Sequence, residues 1–115
     1  MKIEHNGLLL RIYVAESSRY HGHDMVTAVV QSLASAGIAG AIVFKGIEGF
    51  GSHRYVSSER AVDAWADLPM LIEAVDEETK IRTVLPTLEA VLDDALVTLE
   101  RVQTLLYRNG DASAS

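Results

Sequence analysis

The chain has 115 residues, of which 49% are apolar, with 16 Asp and Glu against 10 Lys and Arg, and it has no cysteine. That length suits one domain with a real hydrophobic core. The net charge of −6, without any Lys/Arg cluster, argues against a nucleic-acid partner, and the lack of cysteine removes disulfides, thiolate chemistry and Cys-based zinc sites.

Residues 1–6 carry no signal-peptide pattern. The apolar runs are broken by Arg11, Lys45 or Glu73, so none reads as a bilayer span and a cytoplasmic location is expected. In residues 7–15, Leu8, Leu10, Ile12 and Val14 alternate with Leu9, Arg11, Tyr13 and Ala15, which predicts a strand. Residues 16–23 are polar, include Ser17, Ser18 and Gly22, and read as a loop. Asp24 suits a helix N-cap, Val26, Val29, Val30 and Leu33 recur at helical spacing, and Gly37 is placed to end the helix.

Residues 38–48 are β-rich through Ile42, Val43, Phe44 and Ile47, and Gly49-Phe50-Gly51 then opens a loop. Residues 52–58 have no core-forming period, while 59–66 could make a short helical turn. Residues 68–75 predict a third strand with Pro69 at its start, where a missing N–H is tolerated. Asp76 is placed as the cap of a second helix, with Glu77 and Glu78 in a first turn that favours negative charge. Ile81, Val84, Leu85, Leu88, Val91 and Leu92 form its apolar face, and Pro86 inside it predicts a kink. Residues 96–102 predict the fourth strand, which 103–108 could extend, and 109–115 predict a disordered tail.

The order β-α-β-β-α-β predicts an α+β, ferredoxin-like sandwich, with a four-stranded antiparallel sheet and two helices on one face. A single domain would occupy residues 1–108. The first three strands carry apolar residues on both faces, whereas a sheet with one wet face should alternate. Self-association is the simplest cover for the second face. The interleaved Arg11, Lys45 and Glu73 could pair between subunits.

Candidate chemistry is sparse. His21-Gly22-His23 could offer two imidazoles to a metal, but lacks a carboxylate at a fixed offset, and two solvated loop residues is the simpler reading. Ser17, Ser18, Ser52, Ser57 and Ser58 are nucleophiles by type only, because none sits in a Gly-x-Ser-x-Gly elbow. Glu77/Glu78 and Asp93/Asp94 are explained by helix ends and turns. No catalytic residue and no metal ligand is therefore assigned. Gly46-Ile47-Glu48-Gly49-Phe50-Gly51 is the most pointed local feature, either a strand-to-loop hinge or a backbone that a ligand can approach closely.

Several of these segments resemble a known family. Gly37-Ile38-Ala39-Gly40-Ala41, a strand, and then Gly49-Phe50-Gly51 are similar to the PII signalling proteins, as is Leu68-Pro69 entering a strand that bears Glu73. Leu10-Arg11-Ile12-Tyr13, Ala36-Gly37-Ile38-Ala39-Gly40, Gly46-Ile47-Glu48-Gly49-Phe50-Gly51 and Asp67-Leu68-Pro69 resemble more closely the PII-like family called domain of unknown function 190. The resemblance runs from about Leu8 to Val102. It implies a homotrimeric regulator, not an enzyme, that binds a small effector in clefts between subunits. A membrane transporter or channel is the kind of partner it would modulate.

By position, the resemblance puts Ala39, Gly40, Gly49, Phe50, Gly51, Ser52, His53, Glu73 and Arg101 in the cleft. No cofactor is required, and the effector would be an adenine nucleotide. Where PII proteins carry a glycine-rich phosphate loop with a lysine, this chain has Leu92-Asp93-Asp94-Ala95-Leu96, short and acidic. Carboxylates there repel a polyphosphate, so AMP or ADP is expected in preference to ATP. Two alternatives stand beside this reading. One is a metal-binding trimer shaped like the CutA proteins, using His21, His23 or His53. The other is a small enzyme in the same cleft, with His53 or Glu73 as acid or base.

Overall fold

The computed structural model describes residues 1–49 and 67–109. In chain order the elements are β1 (Lys2–Ala15), β2 (Arg19–Tyr20), β3 (His23–Asp24), α1 (Met25–Ser35), β4 (Ala41–Lys45), β5 (Pro69–Glu77), α2 (Glu78–Val91) and β6 (Leu96–Tyr107). The four long strands form one antiparallel sheet in the order β4-β5-β1-β6, and β2 and β3 form a separate hairpin. This is the ferredoxin-like α+β arrangement expected from the element order.

Strand periodicity decides where the core lies. Leu8, Leu10, Ile12 and Val14 of β1 are buried, and Ile72 and Ala74 of β5 lie with them. Met25, Val26, Val29 and Leu33 of α1 and Ile81, Val84, Leu88 and Val91 of α2 complete the same cluster. Both helices therefore cover one face of the sheet. The opposite face carries Leu9, Arg11 and Tyr13 of β1 beside Leu71, Glu73 and Val75 of β5, since paired residues in an antiparallel ladder share a face. Among the described residues no element covers that face.

Boundaries differ from the sequence reading in four places. β1 starts at Lys2 because residues 2–6 pair with residues 103–107 of β6. The predicted extension of the last strand is thus real, and the pair runs on past Gly7↔Glu77, where β5 stops. Residues 16–23 are not all loop. Arg19 and Tyr20 pair with Asp24 and His23 across a two-residue turn, in which His21 has φ 50° and Gly22 φ 80°. Two successive positive φ values define the hairpin turn whose twist suits antiparallel strands. β4 is only five residues, because residues 38–40 are taken up in turning into it.

The fourth difference concerns Asp76. It does not cap α2, for the strand continues to Glu77 and the helix starts at Glu78. Asp24 does stand at the N-cap position of α1, but its side chain makes no cap bond and accepts instead from the Thr27 hydroxyl at 2.9 Å. Helix α2 continues through Pro86. The helical turn expected at 59–66 and the tail beyond residue 109 lie outside the described residues.

Gly37 ends α1 as predicted. Its φ is +77°, its N–H donates to the Ala34 carbonyl at 3.1 Å, and the Ile38 N–H donates to the Leu33 carbonyl at 3.2 Å. These two bonds make a Schellman closure, with Ile38 and Leu33 both in the core as that motif favours. A Cβ at Gly37 would meet no atom within 4 Å, so the only cost of adding one is conformational. Gly37→Ala should therefore destabilise the chain by about 1–2 kcal/mol, the cost of a left-handed non-glycine residue. Urea unfolding would read this as a lower midpoint at an unchanged slope.

Candidate functional site

A cleft of about 370 Å³ opens on the uncovered sheet face, lined by Leu9, Ala39, Gly40, Ala41, Ile42, Glu73, Ala74 and Val75. Its walls follow from register. Ile42 lies opposite Glu73 across β4 and β5, and Leu9 lies opposite Val75 across β1 and β5. The turn of residues 38–40 forms the remaining wall. A Cβ on Gly40 would meet nothing within 4 Å, so the backbone there is open to close approach.

The cleft is largely apolar, with one carboxylate. Glu73 Oε2 accepts from Arg11 Nε at 3.0 Å, and Arg11 Nη1 reaches Glu100 Oε1 at 3.5 Å. The Glu73 hydrogen bond is the main reason that the Arg11 guanidinium is held above its ordinary value. Arg11 and Glu73 lie opposite each other on the two central strands, and Glu100 of the edge strand β6, opposite Leu9, shares their face. The ion pair expected between subunits is thus formed inside one chain by Arg11 and Glu73. Lys45 takes no part in it and pairs with Glu16 at 2.7 Å.

The structure brings together three of the residues carried over by resemblance, Ala39, Gly40 and Glu73. Gly49 sits apart, where a Cβ would come within 3.2 Å of the Pro69 ring. Pro69 is four residues before Glu73 on β5, about 13 Å along an extended strand. Phe50, Gly51, Ser52 and His53 lie outside the described residues. Arg101 is on the other face: it pairs with buried Leu8 and its Nη1 donates to Glu78 Oε1 at 3.1 Å.

The base of the loop that follows β4 is firmly built. Gly46 N–H donates to the Pro69 carbonyl at 2.8 Å, and Glu16 N–H donates to the Leu68 carbonyl at 3.0 Å. Both the Ser17 N–H and its hydroxyl donate to the Asp67 carboxylate. Gly46 is required there, because a Cβ would fall 2.7 Å from the Pro69 ring and 3.1 Å from its carbonyl oxygen. Ser17, a nucleophile by type only, is thereby engaged as a fastener of this base.

Sequence reasoning missed the apolar lining residues and the part played by Arg11 as the partner, within the same chain, of the cleft's Glu73. A signal was present, since Arg11 and Glu73 are isolated charges of opposite sign in otherwise apolar strands. His21 and His23 do not converge on a carboxylate pair: the His21 ring stacks on Tyr20 with centroids 4.2 Å apart, and no group of three or more potential metal ligands occurs among the described residues. His23 instead edges a wider hollow of about 900 Å³ on the helical side, with Thr27, Gln31, Ser35 and Thr87. The smaller cleft is the better site candidate, for it combines apolar walls, an open glycine backbone and a charged pair.

Glu78 connects α2 to β6. Its carboxylate accepts from Arg82 Nε at 2.8 Å and from Arg101. The Arg82 hydrogen bond is the main cause that holds this carboxyl below its ordinary value, and the Arg101 charge adds to it against some desolvation. A carboxyl lowered on folding adds stability above its unfolded value, about 4.3, and loses it as pH falls through the folded value. Glu78→Gln should therefore lower the melting temperature at neutral pH. The difference from wild type should close as pH falls below the glutamate range, as calorimetry from pH 7 to pH 3 would record.

A family model described as "Uncharacterized ACR, COG1993" (DUF190) matches residues 7–104. A UPF0166 protein of Aquifex aeolicus is 29% identical over 97 residues, covering 84% of this chain and 91% of the relative. UPF0166 protein MJ1524 of Methanocaldococcus jannaschii is 38% identical over 84 residues, covering 73% of this chain and 77% of the relative. Among solved structures, CPII from Thiomonas intermedia K12, a nitrogen regulatory PII-like protein bound to ADP, AMP and bicarbonate, superposes with a TM-score of 0.63 at 16% identity. That match covers 89% of this chain and 98% of CPII. A Thermus thermophilus protein classed with PII-like signalling proteins gives 0.62 at 20% identity, covering 88% of this chain and 91% of its own. With the family model spanning the sheet and both helices, and the fold shared with PII-like structures, the chain belongs to the DUF190 (UPF0166) family.

Proposed function

We propose that this chain is a PII-like regulator. It forms a homotrimer, binds AMP or ADP in the cleft beside Glu73, and modulates a partner protein of the membrane transporter or channel kind. The observation that carries the reading is a concave site on the open face of a fold whose CPII relative holds ADP and AMP. The cleft volume lies within the range of small-ligand sites. Leu9, Ile42 and Val75 offer apolar walls to a purine ring, and Glu73 can accept from an amino group or a ribose hydroxyl.

Phosphates fare less well. The cleft lining contains no lysine or arginine among the described residues, and Arg11 on the same face already serves two carboxylates. That balance favours AMP or ADP over ATP. On the loop side, Gly49, Phe50, Gly51, Ser52 and His53 would complete the site. Arg101, on the helix-covered face, would join only from a neighbouring copy and by leaving Glu78.

Assembly follows from the uncovered face. Ile42 and Phe44 there are 58% and 46% exposed, beside Leu9, Leu71 and Val75. Three copies that turn these faces inward would bury them and close each cleft with a neighbour.

Two measurements test the proposal. AMP or ADP at a hundredfold excess over Kd should stabilise the native state by about 2.7 kcal/mol, read as a raised melting temperature, with ATP weaker. A shift with divalent metal alone, lost in His21→Ala or His23→Ala, would favour the metal-binding trimer instead. In sedimentation equilibrium the wild type should run as a trimer and Phe44→Asp as a folded monomer. A monomeric wild type at low micromolar concentration would overturn the assembly.

A further inference from the structure

Asp76 is the only buried charged residue among the described ones, at 8% exposure. It lies opposite Leu8, on the helix-covered face of the sheet, where a carboxylate is costly unless hydrogen-bonded. Both oxygens are engaged. Oδ1 accepts from the Glu77 N–H at 2.7 Å, and Oδ2 accepts from the Ala39 N–H at 2.9 Å. The first bond is local, whereas the second spans 37 positions and reaches the turn between α1 and β4.

That turn has little else to define it. The Schellman closure at Gly37 and Ile38 holds its start, and the Ala41↔Ala74 pair holds its end. Residues 39 and 40 lie between these anchors, outside any helix or strand, and they form a wall of the cleft. Asp76 itself does not line the cleft. An apolar residue could have filled its place in the core, so the specific work of the carboxylate is its two N–H bonds, of which only the one to Ala39 reaches the cleft wall.

We infer that Asp76 is a positioning residue that presets the Ala39–Gly40 wall of the cleft before any ligand arrives. The inference rests on the cleft reading for its functional consequence, but not for its structural content. A preset wall spares the ligand the cost of ordering two backbone residues, and so raises affinity without touching the ligand. A plain fold-stabilising role would instead act on the whole chain alike.

Residue-resolved amide exchange separates the two. In wild type without ligand, Ala39 should be protected like the neighbouring strand amides. Asp76→Leu keeps much of the volume but removes both acceptor oxygens, so neither N–H group keeps its partner. Exchange should then rise at least tenfold at residues 39 and 40, with little change in β1 and β6. AMP and ADP affinity by calorimetry, taken well below the melting temperature, should fall at least tenfold. Uniformly raised exchange, or unchanged exchange with affinity kept within twofold, would overturn the inference. Should the variant fail to fold, an unprotected Ala39 in ligand-free wild type would overturn it, and a protected one would support it. A wild type that binds neither nucleotide, with the exchange pattern as expected, would overturn the proposed function and uphold the role of Asp76 in the turn.

Discussion

β1 lies between β5 and β6, and its alternation organises everything around it. Side chains two residues apart share a face, so Leu8, Leu10, Ile12 and Val14 must all point the same way. Both helices pack over them, since that is where their own apolar stripes find a partner. The remaining side chains of β1 are then committed to the opposite face, whether or not anything there can cover them. Leu9 and Tyr13, with Leu71, Val75, Ile42 and Phe44 from the neighbouring strands, make that second face apolar. The described elements are too few to bury both sides of the sheet.

Charges are placed sparingly. Arg11 and Glu73 meet across β1 and β5 because the register puts them opposite each other, and each offsets the other within the apolar field. The pair stays near solvent, where an ion pair contributes little to stability, so its main effect is to mark one polar point on an otherwise greasy surface. Asp76 lies on the other side of the same sheet and is buried, with two N–H donors filling its oxygens. One acid thus decorates the cleft, while another, three residues later on the opposite face, shapes the cleft wall.

The loop base and the cleft occupy different ends of β5. Backbone bonds at Leu68 and Pro69, the Asp67 carboxylate on Ser17 and the close approach of Gly46 fasten one end. Glu73 and Val75 line the cleft further along. One strand, β5, thus joins the cleft to the loop base.

Much of the fold was legible because it depends on local pattern. The alternation in residues 7–15, the helical spacing of Val26, Val29 and Leu33, and a glycine where a left-handed residue was needed all express constraints between near neighbours. The same strand patterns pointed to a sheet with apolar residues on both faces, and the second of those faces is left uncovered among the described residues. Of the nine residues that the family resemblance placed together, Ala39 and Gly40 from the turn before β4 and Glu73 from β5 line one cleft. What tertiary structure alone decided depends on contacts between distant residues. Asp76 reads in sequence as a cap, because a carboxylate before Glu77 and Glu78 fits that local rule. The strand instead continues two residues further, to Glu77, and the carboxylate turns to an amide that the chain brings back from 37 positions away. Arg101 reads as a ligand group by position, yet strand pairing turns it toward α2 and Glu78. Spacing along a chain states which side chains share a face. Only the assembled sheet states which face that is, and what stands across from it.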